Sequence, residues 1–289
     1  MNASFWDRLQ TIDRRIIYGI LLAFVLLPLF KHIDVPIIPS QQSQDFYDTI
    51  EGIAKNPMPS HKLVIISGQW SPSTRGENKW QAQAVIIHLM KRHVPFAILS
   101  FDTQNNDQTM QIVNTYAPQY GCVYGRDYIN WGYRPLTVFP QMVKALATDL
   151  PGAIKTDRSG KPITSFPIMQ DIHTIQDVGA VVEITAAATA ETWIGLGGLV
   201  QPNHTVPLLL ATTAVGAPTY YPYLDSGQIS GMLTGIKGAG DYEYLLGTAT
   251  FGTRATGALS LVYALLIGLI ILGNVGFYAS RAAQRREQE

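Results

Sequence analysis

Small polar residues follow an apolar run at Ser67-Gly68-Gln69-Trp70-Ser71-Pro72-Ser73-Thr74-Arg75-Gly76-Glu77-Asn78, and this stretch is the best suited to chemistry. Hydroxyls and backbone N–H groups ahead of a helix can cradle an anion, with a guanidinium alongside to neutralise it. Ser67, Gln69, Ser71, Ser73, Thr74 and Arg75 are therefore candidate ligand-binding residues, joined by Asp102 from a second loop. The segment matches neither GxGxxG nor the phosphate-loop pattern ending in Gly-Lys-Ser/Thr. A competing reading assigns Ser73 or Thr74 to capping a helix, with Glu77 in its first turn.

Other reactive residue types are scattered. The six histidines include His88, His93, His173 and His204, and none forms HExxH or pairs with a cysteine at zinc-ligand spacing. No metal site and no cofactor is expected. No GxSxG elbow is present, so a hydrolase would have only Ser71, Asp102 or Glu183 to draw on, and no catalytic residue is assigned. Glu183 falls inside an apolar run, where a carboxylate needs either a hydrogen-bonded setting or a function that uses its shifted pKa. Cys122 is the single cysteine, which rules out an intrachain disulfide; within Tyr120–Tyr124 it reads as a small buried hydrophobe in a strand. Asn203-His204-Thr205 fits a glycosylation sequon.

The elements that must position these residues alternate between strand and helix. Leu63–Ser67 and Pro95–Phe101 are continuous apolar runs of the kind found in strands buried on both faces. Between them, Glu77–Arg92 repeats apolar residues at helical spacing, at Trp80, Ala84, Ile87 and Met90. Strand, helix and strand in about 40 residues is a βαβ unit. Further strands are expected at Gly121–Tyr124, Gly179–Thr185 and Val206–Thr212, with helices at Leu136–Leu150, from Thr189 to Leu196, and from Thr219 to Leu224. A short amphipathic stretch at Phe46–Ala54 precedes the first strand, and Pro151–Phe166 reads as a polar surface insertion. The fold class is α/β: a doubly wound, mostly parallel sheet, flavodoxin-like or Rossmann-like. In such sheets ligands bind at the carboxyl ends of the strands, where the candidate residues fall.

The ends of the chain are apolar. Ile16–Phe30 carries no charge and lies between Arg15 and Lys31. It is short for a span, which needs about 20 residues, and matches a signal-peptide core in length. With Lys31 snorkelling and no small-x-small cleavage site following, it reads as an uncleaved anchor over 16–34. Residues 255–280 hold no charge and form the second span. Arg8, Arg14 and Arg15 before the first span, and Arg281, Arg285 and Arg286 after the second, place both tails (1–15 and 281–289) in the cytoplasm. The domain over 35–254 is then periplasmic or extracellular. With 15% charged residues against about 25% in ordinary soluble domains, the composition agrees with two spans and a buried sheet. A net charge of zero excludes nucleic acid as a partner.

Ser67–Asn78 with its helix and Phe96–Ser100, together with Tyr124-Gly-Arg-Asp-Tyr128, Gly132-Tyr133 and Ser226-Gly-Gln228, resembles uncharacterised bacterial bitopic membrane proteins with a Rossmann-like extracytoplasmic domain. More loosely, the layout is similar to auxiliary membrane subunits of gliding-motility-type ABC transporters. Neither resemblance implies an activity. The leading expectation is a non-enzymatic, membrane-anchored subunit or scaffold of an envelope or transport complex. Its partner would be the lipid bilayer and a membrane protein, or a second copy engaged through the second span. Tyr220, Tyr221 and Tyr223, in a Gly-rich aromatic segment leading into that span, are the candidate partner contacts. The alternative is an extracytoplasmic small-ligand-binding or sensory domain using the strand-end crevice.

Overall fold

The computed structural model describes residues 13–30, 36–201 and 204–288. The chain divides into two compact units, Ile38–Gly252 and the two chain ends, Met1–Ile37 with Thr253–Glu289.

The Ile38–Gly252 unit is built on six strands: β1 (Val64–Gln69), β2 (Phe96–Ser100), β3 (Tyr128–Tyr133), β4 (Ala180–Thr185), β5 (Leu208–Thr212) and β6 (Gly231–Thr234). Their order across the sheet is β3-β2-β1-β4-β5-β6, and every neighbouring pair is parallel. This is the Rossmann strand order; a flavodoxin-like sheet would run 2-1-3-4-5. A separate two-residue ribbon pairs Val200–Gln201 with His204–Thr205.

Each face of the sheet has its own core. On one face Val64, Ile66, Ile98, Val182 and Leu209 pack under α2 (Gln41–Lys55), α3 (Arg75–Lys91), α4 (Thr103–Tyr116) and α9 (Gly235–Leu246). On the other, Ile65, Leu99, Val181 and Leu210 meet α5 (Phe139–Thr148), α6 (Leu150–Ile154) and α7 (Ala190–Leu196). A further short helix, α8 (Tyr221–Asp225), lies between β5 and β6. Burial on both faces explains why β1, β2, β4 and β5 read as mainly apolar runs, interrupted in β4 by Glu183.

Three expectations are corrected. The third strand is Tyr128–Tyr133, not Gly121–Tyr124. Gly121 and Gly125 sit at φ +65° and +79°, and Asp127 Oδ2 accepts from Val123 N, so the expected strand is a turn. Cys122 accordingly lies in that turn, half-buried against the core, rather than in a strand. The segment Pro151–Phe166 is not only a surface insertion: Ile154 and Ile163 are buried, and Arg158 N donates to Asn130 O, covering the edge of β3. The Gly-rich stretch after Tyr223, ahead of the second span, supplies β6 and α9. Its glycines let elements close on one another, since a Cβ at Gly238 would lie 2.7 Å from the Leu233 carbonyl carbon. Tyr242 on α9 is wholly buried, and its hydroxyl is 2.7 Å from His88 Nδ1 while Glu51 Oε1 is 2.9 Å from His88 Nε2. That chain ties α2, α3 and α9 together. Burial holds the His88 imidazole below its ordinary pKa.

In the other unit, α1 (Arg14–Phe30) has 17 residues, a rise of roughly 25 Å at 1.5 Å per residue, against about 30 Å of hydrocarbon. Residues 31–34, which extend the expected first span, lie outside the described residues. The final helix, α10 (Phe251–Gln288), contains a 32-residue stretch, Phe251–Ala282, that is long and apolar enough to cross a membrane. It is the one such helix among the described residues.

Candidate functional site

At the carboxyl ends of β1 and β4 the chain leaves in opposite directions: from β1 to α3 over one face, from β4 to α7 over the other. Strands diverging in this way leave a crevice between their loops. Here it is a cleft of about 360 Å³, floored by Gln69 and Trp70 and walled by Ser71, Ser73, Thr74, Phe101, Asp102, Leu136, Ala186 and Ala187. Ligand pockets begin at about 300 Å³.

Five of the expected ligand-binding residues line this cleft: Gln69, Ser71, Ser73, Thr74 and Asp102. Ser67 is wholly buried in β1 beneath it. Arg75 is exposed in the first turn of α3 and does not line the cleft, because its direction from the helix start carries it to the outer surface. Arg75 is thus not brought together with the other candidate residues at the cleft. Capping follows the expectation in position, with Thr74 at the N-cap and Glu77 in the first turn of α3, but not in bonding. Thr74 occupies the N-cap of α3 without a side-chain cap bond, and its hydroxyl donates to Ser71 O at 3.3 Å. Glu77 reaches across to accept from Ala214 N at 2.7 Å. The clear capping residue is Asp102, whose Oδ1 accepts from Asn105 N at 2.9 Å at the start of α4.

Two buried amides on α3 organise the rim. Gln81 Nε2 donates to Thr212 O at 2.8 Å and Gly235 O at 2.9 Å, joining the ends of β5 and β6. Asn78 Nδ2 donates to Gln81 Oε1 at 3.0 Å and Thr185 O at 3.4 Å, joining α3 to β4. Polar residues three apart on the buried face of a helix were the available signal for both, and the sequence reading did not use it.

Glu183 lies wholly buried on β4, opposite Ser67 in register. Thr189 Oγ1 donates to its Oε1 at 2.6 Å and Trp193 Nε1 to its Oε2 at 2.9 Å. Thr189 also contacts Thr185 Oγ1 at 2.9 Å, and Thr185 Oγ1 accepts from Ala187 N at 2.9 Å, so the carboxylate is linked to the cleft wall. Burial pushes the carboxyl up to about 7, against the pull of its hydrogen-bonding neighbours. Ser67 Oγ is close enough to share in that pull but completes no well-aligned bond.

Among the described residues, ten buried side-chain polar atoms lack a hydrogen-bond partner, and most of them gather around the end of β1. Six of the ten do so: Ser67 Oγ, Gln69 Oε1, Trp70 Nε1, Asn78 Oδ1 and both amide atoms of Asn105; Gln108 Oε1, Trp131 Nε1, Gln176 Oε1 and Ser280 Oγ are the others. Asn105 packs on Gly68, where a Cβ would lie 2.3 Å from its Oδ1. An orphaned buried polar atom costs about 1–3 kcal/mol. A larger concavity of about 460 Å³ between Met110, Tyr124, Asp157 and Arg158 differs in this respect. There Tyr124 OH and Ser159 Oγ donate to Asp157, and Arg158 pairs with Asp107 at 2.8 Å and Asn106 at 2.6 Å. That network fastens the 156–162 segment to β3.

The three tyrosines separate. Tyr220 is buried, with its hydroxyl donating to Ala187 O at 2.9 Å, and so supports the cleft wall from behind. Burial pushes that hydroxyl up to about 12. Tyr223 packs half-buried on the same core, and Tyr221 alone is exposed. Among the described residues no group of three or more His, Cys, Asp or Glu is placed to hold a metal ion. No family model, no curated protein and no solved structure matches the chain.

Proposed function

We propose that this chain is a membrane-tethered binding protein that takes a small molecule into the cleft at the ends of β1 and β4. The observation that carries this reading is the set of partnerless buried polar atoms around that cleft, with Gln69 and Trp70 forming its floor. Buried polar groups in folded proteins are nearly always hydrogen-bonded, so a group of unpaired ones beside a cleft calls for a partner. A binding rather than catalytic role agrees with the chemistry present. Ser71 Oγ is 2.7 Å from Ser73 Oγ rather than beside a base, and both Glu183 oxygens already accept hydrogen bonds. Burial of Tyr220, with Tyr223 half-buried on the same core, weighs against an aromatic docking face and moves the balance from a pure scaffold toward ligand binding.

The tether is α10, with the apolar segment over 16–34 as the second crossing, and the binding domain lies outside the cytoplasm between two cytoplasmic tails. Arginines on both outer flanks support that topology. The bound state is relayed by a membrane partner, as a subunit of an envelope or transport complex. Space beside Gly268 and Gly273 on α10 is open to such a helix or to a second copy.

Thermal denaturation of the full chain in lipid nanodiscs, against a broad metabolite panel, tests the reading. At least one compound should raise the melting temperature in a dose-dependent way, by the equivalent of about 2.7 kcal/mol at a hundredfold excess over its Kd. Ala187→Trp, which fills the cleft from an exposed turn, should abolish the shift, and Arg75→Ala should leave it intact. A panel in which nothing moves the transition sinks the proposal.

A further inference from the structure

Resting on the cleft as a binding site, we infer that its occupant is a neutral, hydroxyl-bearing molecule of the monosaccharide or polyol class. The charges point first. No lysine, arginine or histidine lines the cleft, and its one ionisable group is the Asp102 carboxylate. The nearest basic side chains on α3 are turned away: Arg75 is exposed, and Lys79 Nζ sits 5.0 Å above the Trp80 ring. An anion entering the cleft would meet a like charge and no counter-charge.

The strand order is one that elsewhere holds dinucleotides, with a glycine-rich turn after the first strand letting the backbone approach a pyrophosphate. Here that turn reads Gln69-Trp70-Ser71-Pro72-Ser73-Thr74, and the Trp70 side chain is buried in it. Gly68 faces inward to Asn105 and is not available to a phosphate. The turn is too bulky for a pyrophosphate.

What remains partnerless asks for both hydrogen-bond roles. Trp70 Nε1 offers a donor and Gln69 Oε1 an acceptor, and the two residues are 2% and 8% exposed. A hydroxyl donates and accepts at one oxygen and can satisfy both kinds of atom. An ammonium group only donates, which would leave the indole N–H orphaned. Ser71, Ser73, Thr74 and Asp102 add further partners at the rim, and Phe101 with Leu136 supplies an apolar wall for C–H faces.

The test is isothermal titration of the full chain in nanodiscs, free of sugar-headgroup detergent. The probes are D-glucose, D-mannose and myo-inositol, with inorganic phosphate as the anion and choline as the cation. Saturable binding by a neutral probe, with none by phosphate or choline, is expected. Gln69→Leu should weaken that binding about tenfold or more, yet leave the melting temperature of the empty protein unchanged or higher, since it removes an orphaned acceptor. Trp70→Phe provides the same readout through the donor should the leucine variant fail to fold. Binding by phosphate or choline instead would overturn the ligand class while leaving the cleft as a site. Neutral binding that survives both variants and Ala187→Trp would place the ligand elsewhere and overturn the inference. Silence from every neutral probe overturns the class, and silence across the whole metabolite panel takes the cleft with it.

Discussion

Glu183→Gln is expected to make the protein more stable than its parent at pH 8 and no more stable at pH 5. The parent carboxyl is wholly buried, and its pKa rises from 4.5 to about 7 on folding, chiefly through burial. A raised folded-state pKa means that the native protein holds this proton more tightly than the unfolded chain. The resulting stability is fully present below pH 4.5 and is lost as pH rises through 7. At 1.36 kcal/mol per unit the loss is roughly 3 kcal/mol. Glutamine carries no charge, so its variant does not suffer that loss. With its carbonyl toward Trp193 Nε1 and its amide toward Thr189 Oγ1, it keeps both contacts. Other titrating groups are shared and cancel in the difference. Unfolding free energies of the two proteins at pH 5, 6, 7 and 8 should therefore diverge by about 3 kcal/mol across the series. A constant difference would mean that the carboxyl keeps an ordinary pKa, and the buried Glu183–Thr189–Trp193 arrangement would be wrong.

Gly231→Ala is expected to cost about 3 kcal/mol, the upper end for overpacking. A Cβ there would lie 2.4 Å from Phe46 N and 2.5 Å from Phe46 Cα, so β6 and α2 meet backbone to backbone. Relief by a rotamer change is closed, because Phe46 is wholly buried and its ring packs edge-on against Tyr242 at 5.3 Å. Gly52→Ala on the same helix is the control. Nothing lies within 4 Å of its Cβ position, and replacing a helical glycine should gain up to about 1 kcal/mol. If both substitutions shift the melting temperature alike, α2 does not pack on β6 as described.

The central strands were legible because a strand covered on both faces has to be largely apolar, and Leu63–Ser67, Pro95–Phe101, Gly179–Thr185 and Val206–Thr212 all are, with Glu183 the one charge among them. The two edge strands were not. β3 interleaves Tyr128, Asn130 and Gly132 among apolar residues, and β6 begins on a glycine that only the approach of α2 explains. Helix α4 was hidden by its polarity, since Thr103–Tyr116 buries Ile112 and Val113 but otherwise consists largely of amides and hydroxyls. The strand order, which separates a Rossmann sheet from a flavodoxin-like one, depends on pairings remote in sequence and left no local trace.

The position of the site was legible for a different reason: parallel sheets gather their loops at one end, so Ser67–Thr74 and Asp102 had to converge. The direction of Arg75 was not, because one residue of rotation at a helix start decides between cleft and solvent. Tyr220 shows the same limit. Its burial follows from the hydroxyl bond to Ala187 O, across 33 residues of chain.

The cleft is tested most directly by hydrogen–deuterium exchange of the full chain with and without a saturating ligand from the thermal panel. Protection is expected at residues 69–76, 101–105 and 185–189, the three loops that close on the occupant, with little change elsewhere in the sheet. Protection centred on residues 124–134 and 155–161, around the other concavity, or confined to α10, would contradict a binding site at the ends of β1 and β4.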